Sequence, residues 1–169
     1  MTARFVNSIK MAIQNENWYG ALSTALMMPD ICGRLEFPED APKERYLKWY
    51  NKWVLDKYIG FLGPNRLKHI FFSGSDCYAF RCAYLHEGSS NIEDQNAREA
   101  LSRIHFISPP DGKIEHNNQH NNVLQLQVNI FCEDICQSVE EWNIYAKDNV
   151  DDLEDKLQHL LRIYDSNNL

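Results

Sequence analysis

No stretch of this sequence approaches the ~18 consecutive apolar residues of a bilayer-spanning helix, and its first residues lack the apolar segment of a secretory leader. Both absences point to a soluble, cytoplasmic protein with no membrane partner. There is no CxxC pair: the five cysteines, at 32, 77, 82, 132 and 136, are odd in number and irregularly spaced. That excludes zinc-ribbon and dithiol redox classes and predicts buried thiols, with no metal and no cofactor. No internal repeat or low-complexity linker divides the chain, so its 169 residues suit one domain. Basic side chains are scarce toward the C-terminus, where residues 111–169 hold 4 Lys/Arg against 12 Asp/Glu, while residues 1–110 hold 13 against 12. With a net charge of −7 the whole surface cannot wrap a polyanion, yet the first two-thirds can host a local phosphate site.

What is present is mostly helical periodicity. Residues 2–15 and 17–36 read as helices, the second keeping its stripe of Leu22, Ala25, Leu26, Cys32 and Gly33 across Pro29, which predicts a kink or break near Met28. A third helix is expected from Lys43 to about Ile59, closed by Gly60, Gly63 and Pro64. Its aromatic stripe reads as core-facing and its lysines as solvated. Two alternating runs, about 102–108 and 123–129, predict an inserted antiparallel β-hairpin. The Pro-Asp-Gly turn signal lies in the loop between them. Two more stripes, Phe131 to Ala146 and Val150 to Tyr164, close the chain as helices. The acidic residues from Asp148 to Asp155 suit the first turns of the last one. The fold class is therefore mainly α (α+β): a bundle of about five or six helices with an inserted hairpin.

One stretch concentrates chemistry. In FSGSDCYAFRCAYLHEGSS, Ser73 or Ser75 suits a helix N-cap, Asp76 makes a near capping box with Ser73, and Gly88 suits the stop. On the helix between them, Tyr78, Arg81, Cys82, Leu85 and His86 share one broad face. Arg81 and His86 are separated by a rise of roughly 7.5 Å and about 140° of rotation, so both side chains can reach one phosphate-sized ligand. The remaining histidines read as solvated: His69 and the pair His116 and His120 in loops, His105 on a strand, His159 on an exposed helix face.

An arginine, four residues and a histidine near the end of a helix in a small bundle resembles the signature of the HEPN superfamily. The resemblance spans residues 1 to about 90, taking in the small-residue-rich second helix, and implies one HEPN-like domain over 1–169. It implies a metal-independent endoribonuclease, toxin-like or linked to antiviral defence, with Arg81 and His86 catalytic and Cys82 and Tyr78 in support. It also implies a homodimer in which paired motifs meet, RNA or a nucleotide as ligand, and an antitoxin protein as partner. Cys82 stands where the family usually has a polar residue, often asparagine, and a thiol cannot orient a neighbour as an amide does. Members without catalysis serve as binding or scaffold domains, which is the alternative for this chain.

Histidine, with an ordinary pKa of about 6.5, can exchange protons with a ribose hydroxyl near neutral pH, while arginine holds the phosphate. A structural role is also open. Arg81 could pair with Asp76 or Glu87, and His86 could complement the C-terminal dipole of its own helix. Trp18, Trp49 and Trp142 are candidates for an interface.

Overall fold

In the computed structural model, which describes residues 2–164 and 166, three helices form the N-terminal part: α1 Ala3–Gln14, α2 Trp18–Glu36 and α3 Pro42–Trp53. Asn17 starts α2 by accepting the Gly20 N–H at 3.1 Å. Pro29 does not break the helix. Leu22, Ala25, Leu26 and Cys32 are buried on either side of it, and that burial offsets the backbone bond proline cannot make.

α3 is shorter than its periodicity suggests. After Trp53 the chain makes a 3-10 turn at Leu55–Tyr58 and enters β1 Ile59–Leu62, which pairs antiparallel with β2 Leu67–Ile70. Gly60 lies inside β1 because the Phe71 ring occupies the place of its missing Cβ, only 2.7 Å away. Gly63 and Arg66, both at positive φ, form the turn. His69 is thus on a strand, where its Nε2 meets Gln119 Oε1 at 2.8 Å.

α4 Gly74–Glu87 follows, then β3 Arg103–Ile107, β4 Asn118–His120, β5 Val123–Gln127, α5 Val128–Asn149 and α6 Leu153–Gln158. The mainly α class with a smaller β component holds, with six α-helices among the described residues. The alternating runs do become strands, but the antiparallel hairpin expected of 102–108 with 123–129 is corrected: β3 and β5 run parallel, Arg103 opposite Val123 through Ile107 opposite Gln127. Residues 118–120, expected as loop, form β4 and pair antiparallel with β5, giving the order β3-β5-β4. The connection after β3 uses its length to turn β4 back against β5, so the strand that reaches β3 has already reversed direction twice. Val128 and Asn129 begin α5 instead of extending β5.

A continuous core runs from Val6 and Ile9 through Leu26, Trp49 and Phe131 to Leu157. Trp49 and Trp142 are fully buried in it, which removes them as interface candidates, and Trp18 is half-buried. Glu36, its side chain only 6% exposed, ties three helices together. It accepts from Trp142 Nε1 at 2.9 Å and Trp53 Nε1 at 3.3 Å, and it pairs with Lys52 at 2.7 Å. α6 is short. Beyond it Leu161, Ile163 and Tyr164 are exposed and not helical, so the stripe expected to reach Tyr164 stops packing at Leu160: Leu153 and Leu157 are buried, and Val150 and Leu160 are partly buried against the core. No helix among the described residues is long and apolar enough to cross a membrane.

Candidate functional site

The expected caps set the position of α4. Ser73 Oγ accepts the Asp76 N–H at 3.1 Å, and Gly88, at φ +66°, ends the helix with its N–H on Tyr84 O. Asp76 does more than complete the cap. Its carboxylate, 2% exposed, turns to the loop before β3 and accepts backbone N–H bonds from Glu99 at 2.8 Å and from Ala100 and Leu101 at 3.2 Å. The N-terminal end of α4 is thereby fixed to a segment more than twenty residues further along the chain.

The inner face of α4 is lined by Cys77, Phe80 and Ala83, all buried. Its outer face carries Tyr78, Arg81, Cys82 and Leu85, half-buried, and His86, exposed. Apolar groups thus lie on both sides of the helix, and the outer ones surround two polar side chains. Arg81 Nη1 lies 3.4 Å from His86 Nε2. When the guanidinium donates there, the imidazole is neutral, with its proton on Nδ1.

Arg81 is held from the other side by a residue the motif did not point to. Its Nε lies 2.9 Å from Asp30 Oδ2 on α2, with both side chains about four-fifths buried at 23% and 20% exposure. The contact is an ion pair by distance, but its angle is not that of a hydrogen bond, since both atoms are buried without a well-aligned partner. Asp30 replaces Asp76 and Glu87 as the carboxylate that Arg81 uses. Burial raises the Asp30 carboxyl above its ordinary 3.8, against the lowering influence of Arg81 and, more weakly, of Arg45. For Arg81, burial works against the charge, but the field of Asp30 and the contact with Cys82 outweigh it and raise its pKa. Nothing in the sequence marks Asp30 beyond its place in α2 directly after Pro29; the approach of α2 to α4 is a tertiary fact.

The two supporting residues lie beside the pair. Cys82 Sγ is 4.0 Å from Arg81 Nη1. Burial, reinforced by Cys82, raises the Tyr78 phenol above its ordinary 10, and its ring packs edge-on against Tyr46 at 5.1 Å. Of the five thiols, Cys82 alone is partly exposed; the others are free and buried as expected. Cys77 is pushed up to about 12 by burial and is inert. Gly88 and Ser89 supply N–H bonds to the terminal carbonyls of Tyr84 and Ala83, and His86 stands in the last turn of α4, where it can act on the helix dipole.

Chemically the site is a guanidinium and an imidazole converging at an exposed helix end, with a carboxylate fixing the guanidinium. An anion entering between them would accept from Arg81 and, once protonated, from His86. Among the described residues no group of three or more His, Cys, Asp or Glu is placed to hold a metal ion. His116 and His120, expected in a solvated loop, separate: His116 is half-buried, with Nδ1 accepting the Gln127 N–H at 3.1 Å, and His120 is exposed on β4. Comparison with protein-family models, with curated proteins and with solved structures found no match.

Proposed function

We propose that Arg81 and His86 form the phosphodiester site of a metal-independent endoribonuclease of HEPN type. The observation that carries this reading is the 3.4 Å approach of Arg81 Nη1 to His86 Nε2 at an exposed helix end. His86 takes the proton of a ribose 2′-hydroxyl, and the 2′-oxygen attacks phosphorus. The bond from phosphorus to the 5′-oxygen breaks, leaving a 2′,3′-cyclic phosphate and a 5′-hydroxyl. Arg81 moves its donors from His86 to the phosphate and stabilises the charge gathering on the non-bridging oxygens. Asp30 keeps the guanidinium oriented throughout.

One chain supplies one histidine at the site, so the leaving oxygen takes its proton from the partner's His86 in a homodimer built on the outer face of α4. Tyr78, Cys82 and Leu85 give that face its apolar contacts. The biological setting this reading implies is cytoplasmic and toxin-like or defensive, with an antitoxin protein as the restraining partner.

The test is cleavage of single-stranded RNA with chelator present, comparing the wild type with Arg81→Ala and His86→Ala. The expected result is loss of about 100-fold or more in each variant, with cyclic phosphate ends in the wild-type products. Equal cleavage by all three proteins would mark a contaminant and remove the enzyme. A second reading, a non-catalytic HEPN-like domain that binds RNA, a nucleotide or a protein, draws on the engagement of Arg81 with Asp30 and on Cys82 in the usual amide position. It predicts RNA binding that depends on Arg81 with no cleavage at all.

A further inference from the structure

Two histidines with no part in the Arg81 site are brought together by the three-stranded sheet. Its register places Arg103, Val123 and His120 in one cross-strand row, and His105, Gln125 and Asn118 in the next. Residues opposite one another across strands, and residues two apart along a strand, point the same way, so both rows occupy one face. The opposite face sends Ile104, Leu124 and Leu126 into the core. On this outward face Arg103, His105, Asn118 and His120 are exposed. A cleft of about 350 Å³ opens there, with His105 on one outer strand and His120 on the other.

Four donor side chains on this face have no acceptor among the described residues, while Gln119 and Gln125 of the cleft lining donate to Asn121 O and to Glu115. Among the described residues, Arg103, His105, Asn118 and His120 make no side-chain hydrogen bond or ion pair, whereas Lys10, Lys48, Lys52 and Arg81 each hold a carboxylate. The carboxylate that touches the lining is Glu115, which takes the Gln125 amide at 3.4 Å. Residues 103–107 and 118–127 contain no Asp or Glu, although 12 of them lie between 111 and 169. The acidity of this half of the chain has been kept off the sheet. Imidazole, guanidinium and amide N–H groups around a carboxylate-poor cleft match an anion with several acceptor oxygens, and a metal ion would find too few ligands.

We propose that this sheet face binds the phosphate group of a phosphate ester, gripped by His105 and His120 from the two outer strands, with Arg103 at the edge. It shares no residue with Arg81 and His86 and does not depend on their function. The phosphate has two sources of the same chemistry, a small phosphorylated metabolite or the backbone of a single-stranded nucleic acid.

The full-length chain is titrated with inorganic phosphate, AMP and a short 2′-O-methyl oligoribonucleotide, following the imidazole resonances of His105 and His120. Saturable shifts of both are expected, with affinity falling about tenfold or more in Arg103→Ala and in His105→Gln/His120→Gln. Lys147→Ala, which removes an exposed cation on α5 away from the sheet, is expected to bind as the wild type does. Equal affinity for AMP and the oligonucleotide identifies a small ester. Binding tighter by about tenfold or more to the oligonucleotide identifies a nucleic-acid backbone. Shifts reproduced by sodium chloride at matched ionic strength, affinity unchanged in folded variants, or no binding of any probe would overturn the proposal. The RNA-cleavage assay on Arg81 and His86 is unaffected by each of those results.

Discussion

Asp76 shows how one side chain can serve two purposes that sequence separates. Its spacing from Ser73 makes the local cap legible, and the cap is there. Its bonds to the N–H groups of Glu99, Ala100 and Leu101 are not legible, because no pattern links a helix N-terminus to a polar loop that far away. A buried carboxylate that satisfies several backbone donors leaves all of them orphaned when it is removed. Asp76→Ala is therefore expected to cost roughly 2–4 kcal/mol in urea unfolding and to speed amide exchange at 99–101. A loss confined to the ~1 kcal/mol of an ordinary N-cap would mean that the loop holds itself. At the Arg81 site the same limit applies. The arginine and histidine were readable from their separation on one helix, whereas Asp30 arrives from another.

At the scale of elements, hydrophobic period identifies helices and strands but not the direction in which strands pair. The runs at 102–108 and 123–129 alternate in the same way whether they lie parallel or antiparallel, and only the fold of β4 between them decides. The end of α3 is hidden for a similar reason: aromatic and basic residues continue the helical rhythm past Trp53, while the contact that requires glycine at position 60, the Phe71 ring lying against it, is made only in the folded chain. The packing of α2 on α3 turns on Gly33, where an added Cβ would lie 2.7 Å from the Arg45 carbonyl oxygen. That oxygen belongs to the backbone of α3 and cannot swing aside. Gly33→Ala is expected to destabilise by roughly 1–3 kcal/mol in chemical denaturation despite alanine's better helix propensity. A neutral or stabilised variant would show that α2 and α3 slide apart freely.

Over the whole molecule, stability and pH are linked through groups that the interior holds in one charge state. Burial pushes His116 below its ordinary 6.5, and its Nδ1 can accept the Gln127 N–H only from a neutral ring. A folded value below the unfolded one means that the stability is fully present above about 6.5 and is lost as pH falls through the folded value. Asp30 and Asp134 have the opposite sign: burial raises both from 3.8, so their contribution is full at low pH and declines as pH rises through the raised values. The melting temperature is expected to fall as pH drops below about 6.5, with a shallower slope in His116→Gln. An identical slope in that variant would place the acid sensitivity elsewhere.

β5 ends at Gln127 and α5 begins at Val128, with no residue between them. With no loop residue at this joint, the path of the central strand sets where the longest helix among the described residues starts, and that helix packs against both α1 and α2. One residue inserted between Gln127 and Val128 would turn the face of α5 by about 100° and carry Phe131, Ile135 and Trp142 away from their places in the core.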